Sequence, residues 1–140
     1  MAQAFLGANP GTFVTDAEAP ILLEDEDVQN TTVTGDWVEV DFPGNCVVVL
    51  ELGAAAASSN LRVEIEGSDD GDSISPSGVV SYGAFDSIGG DDDNEIRVMD
   101  AQIYKKYVRA VATESGNAEV TIKSVTLAPP QFHMGNSRTA

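Results

Sequence analysis

The chain has 140 residues, with seven Lys and Arg against 23 Asp and Glu, a formal net charge of −16, and 42% hydrophobic residues. That is the length of one domain, able to bury roughly two-thirds of the surface its unfolded chain exposes, and no second core is expected. So large an acid excess excludes a surface that neutralises nucleic-acid phosphates or anionic lipid, and reads first as a solvated, self-repelling shell.

The opening stretch "MAQAFLGANPGTF" has neither a basic n-region nor a sustained apolar h-region, and no run approaches 18 apolar residues. The chain therefore reads as made in a cytoplasm, not exported by an ordinary signal and not embedded in a membrane. Residues 1–18 and 129–140 are rich in Gly, Pro, Ala and polar residues, with isolated apolar anchors at Phe5, Leu6, Phe13, Phe132 and Met134. Both are expected to be extended arms laid on neighbouring subunits, flanking a single domain over 19–128.

Within that domain alternation dominates, and no stretch of ten or more residues has clean helical spacing. "APILL" (19–23) and "TTVT" (31–34) are short strand candidates. In "WVEVDF" (37–42) Val38, Val40 and Phe42 fall on one face, with Trp37, Glu39 and Asp41 on the other, as a half-buried antiparallel strand requires. "PGN" then turns the chain. "CVVVLEL" (46–52) places Cys46, Val48, Leu50 and Leu52 in phase, and the lone cysteine reads as a small buried thiol. "LRVEIEG" (61–67) alternates Leu61, Val63 and Ile65 against Arg62, Glu64 and Glu66. "VVSYGAF" (79–85) and "EIRVM" (95–99) add two weaker strands. Eight or nine short strands in this length favour two packed antiparallel sheets over one open sheet with exposed edges, so the expected fold is all-β, a jelly-roll-like antiparallel sandwich.

The segment "YVRAVATESGNAEVTIKSVTLA" (107–128) is the most patterned. Glu114-Ser115-Gly116 has the order of a three-residue hairpin loop with glycine in the left-handed position. Counting outward pairs Ala112 with Ala118, Ala110 with Val120 and Val108 with Ile122 on an apolar, core-facing side. Tyr107 opposite Lys123 and Arg109 diagonal to Glu119 then lie on the outward side. The apolar phase shifts from Val120 and Ile122 to Val125 and Leu127, which predicts a β-bulge near Lys123-Ser124 or a strand that changes sheets. Four of the seven cations fall between Lys105 and Lys123. Exposed pairs of this kind contribute only a few tenths to about 1 kcal/mol each, so a stripe of Lys105, Tyr107, Arg109 and Lys123 is the candidate partner-binding surface.

Other chemistry is weaker. The acidic clusters "EDED" (24–27), "SDDGDS" (68–73) and "GGDDDN" (89–94) invite a calcium reading, but none has EF-hand spacing, and solvated loops are expected. His133 is the sole histidine, with no nucleophile elbow in the sequence, so no catalytic set is assigned and the chain is read as a non-enzyme. The glycine pairs lack the Lys and following helix of a phosphate loop, and no cofactor or metal site is assigned. Trp37 with Tyr82 and Tyr104 could form an aromatic platform for sugar, the alternative being cross-strand packing.

At "LRVEIEGSDDGDS" (61–73) followed by "KKYVRAVATESGNAEVTIKSVTLAPP" (105–130) the chain resembles the small capsid cement or decoration proteins of tailed bacteriophages. In that group a strand ending in an "SDDG"-like turn precedes a "YVR.V.T..G..A.VTI....L" hairpin. The resemblance implies a jelly-roll sandwich on the outer capsid surface of a virion, bound to the major capsid protein and to copies of itself, with no nucleic-acid or membrane contact. A carbohydrate-binding or host-adhesion sandwich, in a head fibre or tail component, is the competing expectation.

Overall fold

The structure, a computed structural model, describes residues 19–40 and 44–128. Nine strands and one short turn of 3-10 helix follow in order. They are β1 (Ile21–Val28), β2 (Thr32–Thr34), β3 (Val38–Glu39), β4 (Gly44–Ala55), β5 (Leu61–Ser68), β6 (Val80–Ile88), the 3-10 turn (Gly90–Asp92), β7 (Ile96–Ile103), β8 (Tyr107–Glu114) and β9 (Val120–Ala128). A four-stranded sheet has the order β1-β9-β4-β7, and a second sheet has β2-β8-β5-β6 with β3 also on β8. Every pairing is antiparallel. The expected all-β sandwich of two antiparallel sheets is present.

The core follows from the alternation. Cys46, Val48, Leu50 and Leu52 of β4 are buried, as are Leu61, Val63 and Ile65 of β5. Val108, Ala110, Ala112, Val120 and Ile122 are fully buried too, so the face assigned to 107–122 is the core face. Burying side chains of this size contributes about 1.5–3 kcal/mol each for the larger ones, which is what holds two otherwise one-sided sheets together.

The pairing expected between 107–113 and 117–123 is not formed. β8 pairs with β2, β3 and β5, whereas β9 pairs with β1 and β4, so the chain crosses from one sheet to the other at Ser115–Glu119. Glu114, expected at a loop tip, is 1% exposed and holds this crossover. Its Oε1 accepts the N–H of Asn30 (2.7 Å) and Ala118 (3.3 Å), and its Oε2 accepts those of Gly116 (2.7 Å) and Asn60 (2.9 Å). One carboxylate thus ties together three chain reversals and satisfies four donors that the crossover would otherwise leave unpaired. Burial alone would raise its pKa, but the four N–H groups outweigh that and hold it below the ordinary glutamate value.

The phase shift in β9 is a bulge within one sheet. Glu51 faces Ser124 and Leu52 faces Ile122, so Lys123 is the extra residue on β9. The cluster 24–27, expected as a solvated loop, instead forms part of β1, because Leu22, Leu23 and Val28 anchor both ends of that strand in the core. The arms assigned to 1–18 and 129–140, with Phe5, Phe13, Phe132, His133 and Met134, lie outside the described residues, as do Asp41, Phe42 and Pro43.

Candidate interaction surface

The crossover divides the predicted basic stripe. Tyr107 and Arg109 stand on the outer side of the β8 sheet, Lys105 lies in the loop before it, and Lys123 stands on the opposite sheet. Arg109 is not exposed. Its Nε donates to Glu66 Oε1 at 2.9 Å, its guanidinium lies 4.2 Å from the Trp37 ring centroid, and the two charged side chains are 16% and 20% exposed. Trp37 in turn donates from Nε1 to the Asp72 carbonyl at 3.1 Å. Lys105 pairs with Asp69 at 3.1 Å and Lys106 with Glu39 at 3.8 Å. Arg62 bridges to Asp86 at 2.7 Å, and Arg97 to Asp92 at 2.8 Å. Among the described residues Lys123 makes no ion pair. The stripe of Lys105, Tyr107, Arg109 and Lys123 is therefore not one surface, and its two strongest members are held by the chain's own acids.

The aromatic trio is also divided. The Trp37 ring carries Arg109, while Tyr82 meets Tyr104 edge-on at 5.6 Å and accepts the backbone N–H of Lys105 (3.0 Å) and Tyr104 (3.3 Å) with its hydroxyl. Tyr82 lies directly over Gly67, where any Cβ would enter its ring. These rings close the fold at the β7–β8 loop.

The acid-rich loops have local duties. Asp70 accepts hydrogen bonds from the Asp72 N–H (3.1 Å), from Ser77 N–H and Oγ (3.2 and 2.9 Å) and from Ser68 Oγ, which fold "SDDG" into a tight turn. Those donors, led by the Asp72 N–H, hold its pKa below the ordinary aspartate value. Asp92 Oδ2 accepts the Gly89 N–H at 2.8 Å. Among the described residues no group of three or more His, Cys, Asp or Glu could hold a metal ion. A groove of about 420 Å³ runs between β1 and the β2–β3 connection, lined by Leu22, Glu24, Glu26, Gly35 and Asp36 among others.

The two outer faces differ in kind. On the five-stranded sheet Arg62, Asp86, Glu66 and Arg109 neutralise one another. On the four-stranded sheet, by contrast, the register aligns Ile21, Thr126, Val49 and Val98 in one row across all four strands. Val98 is 66% exposed, its strand neighbour Ile96 65%, and Ile21 48%. Val47, one step along β4, faces Ala128 and Asp100. Glu24, Ser124, Glu51 and Ile96 form the next row. Alternation in "CVVVLEL" puts Val48 and Leu50 in the core and gives no role to Val47 and Val49. The signal was there: "CVVVLEL" is apolar in both phases, the pattern of a strand covered on both sides.

Comparison with models of known families, and with curated proteins, returns no match for this chain. Its function has to be read from its own surfaces.

Proposed function

We propose that this chain is a non-enzymatic virion structural protein, a capsid cement or decoration subunit that binds the outer capsid surface and stabilises contacts between capsomers. The observation that carries this reading is the two-faced sandwich: one sheet presents a self-neutralised polar surface, and the other an apolar row with no cover among the described residues. Such a molecule is built to attach by one side and face water with the other. The strand orders fit a jelly roll, in which the chain passes repeatedly between two four-stranded layers. A net charge of −16 suits a subunit that stays soluble and does not adhere to encapsidated or free nucleic acid.

Attachment would work by burial. Each Å² of apolar surface removed from water contributes about 25 cal/mol, and a subunit repeated over a shell adds that contribution at every junction it spans. The competing reading, a sugar-binding or host-adhesion module, would need a platform of exposed ring faces; of the three candidate rings Trp37 and Tyr82 are committed to Arg109 and to backbone N–H groups, which leaves Tyr104, 64% exposed.

The test is quantitative mass spectrometry of purified phage particles that encode the chain, followed by add-back of purified protein to stripped shells. Many copies in fixed ratio to the major capsid protein, with add-back raising shell resistance to heat, are expected. A few copies per particle, or binding to glycans without binding to shells, would replace the proposal with the adhesion reading.

A further inference from the structure

We infer that the outer face of the four-stranded sheet docks a partner that presents an apolar strip flanked by lysine or arginine, and that a second copy of this chain is not that partner. The inference rests on the attachment reading for the kind of partner, and deepens it by naming the surface and the chemistry it selects.

The geometry begins with the row Ile21, Thr126, Val49 and Val98, which crosses four strands and so extends about 14 Å at the usual strand spacing. Ile96 and Val47 widen it to either side. Strand β4 is central in its sheet, and its buried phase, Cys46, Val48, Leu50 and Leu52, already supplies all that the sandwich interior needs. Valines at 47 and 49 add β-propensity and cross-strand packing, but Val98 and Ile96, on the edge strand, have a strand neighbour on one side only and stay largely exposed. An edge strand bearing two large exposed aliphatics is an aggregation hazard for a free monomer, and one that natural proteins usually blunt with charge. Here the charge is present, but around the strip rather than within it.

That charge selects the occupant. Glu24 and Glu51 stand in the adjoining row, and Asp100 stands beside Val47. None of the three makes an ion pair among the described residues, in contrast to Glu66 and Asp86 on the other sheet. Lys123, whose side chain lies by Gly53, is one cation against these three acids, so two copies meeting through this face would still bring an excess of carboxylates together, each on a chain of net charge −16, and like-charge apposition disfavours that contact. A partner with an apolar centre and basic flanks satisfies both halves of the surface. Copies of the chain would then meet through other surfaces.

The test uses the full chain, isotope-labelled, titrated in NMR with a nine-residue peptide alternating valine and lysine, and in parallel with one alternating valine and glutamate. Saturable shifts at Val47, Val49, Ile96, Val98 and Thr126 are expected with the lysine peptide, with affinity at least about tenfold weaker for the glutamate peptide. Val98→Asn should weaken the lysine peptide by about tenfold while leaving the remaining spectrum in place, and Glu51→Lys should narrow the gap between the peptides. Equal binding of both peptides, or shifts confined to the five-stranded sheet, overturns the inference. So does a concentration-dependent dimer that shifts these same residues, or contacts from Phe13 or Phe132 to the Val98 methyls, which would make the chain itself the occupant. On particles, wild-type and Val98→Asn chains binding equally would overturn this surface alone. Failure of the wild-type chain to bind, with the peptide result intact, would overturn the cement reading alone.

Discussion

Glu114 Oε1 accepts the N–H of Asn30 at 2.7 Å across 84 positions of sequence, and this bond joins the β8–β9 crossover to the β1–β2 turn. With Asn60, Gly116 and Ala118 also donating to the same carboxylate, three reversals at one end of the sandwich depend on a single charge. Glu114→Gln keeps the shape but turns an N–H₂ toward two of the donors, and a loss of about 3 kcal/mol is expected by chemical denaturation. The pH dependence has a definite sign. Because the folded-state pKa lies below the ordinary value of 4.5, the carboxylate's contribution is present above that value and is lost as pH falls through the folded pKa. The wild-type chain should therefore lose stability below about pH 4.5, and the difference between wild type and Glu114→Gln should shrink over that same range. A difference constant down to pH 2 would refute the assignment.

Glu114 marks the limit of what a sequence of this kind can display. Alternation places Val108, Ala110, Ala112, Val120 and Ile122 inward whether their strands pair with each other or face each other across the core, because both arrangements bury the same phase. The faces were legible; the partner strands were not. An acid before Ser-Gly has the composition of an exposed turn, and nothing local signals that N–H groups of residues 30 and 60 will converge on it. The bulge at Lys123 was legible because it breaks the phase within one strand. The basic stripe is divided for the same reason, since its continuity requires β8 and β9 to lie side by side.

The loop itself reverses an expectation. Left-handed backbone was assigned to Gly116, yet the positive φ belongs to Asn117, at 55°. Glycine is needed at 116 for space: a Cβ there would collide with the Ser58 carbonyl oxygen. Gly116→Ala should then cost about 2–3 kcal/mol, whereas Asn117→Gly should stay within about 0.5 kcal/mol of wild type. Thermal or urea unfolding of the two variants decides the matter, and equal, small effects would refute the steric role of Gly116.

Arg109 is predicted to act as a structural cation. It sits between Glu66 at 2.9 Å and the Trp37 ring at 4.2 Å, both partly shielded from water. Arg109→Lys retains the charge but loses the flat stacking, with an expected cost of about 1 kcal/mol and a change in Trp37 emission. Arg109→Glu sets two carboxylates together and should cost about 2–3 kcal/mol. Lys123→Glu, on an exposed bulge, should change stability by no more than about 0.5 kcal/mol. Equal tolerance of charge reversal at 109 and 123 would return Arg109 to the surface.

Cys46 provides a probe of the core beneath the proposed docking face. Its side chain is 2% exposed, its Sγ lies 3.7 Å from the Gly44 carbonyl oxygen, and burial pushes the thiol pKa up from 9.0 to about 11. Thiolate is the reactive form, so at pH 8 the folded protein should resist alkylation by iodoacetamide and react at the ordinary rate once denatured. The neighbouring positions make this informative: Val47 and Val49 point outward on the same strand, and residues that alternate with them carry the core. Val49→Lys should disturb the outer face while leaving Cys46 protected. If labelling instead rises together with loss of partner binding, the outer row holds β4 in place and its exposure serves the fold before it serves attachment.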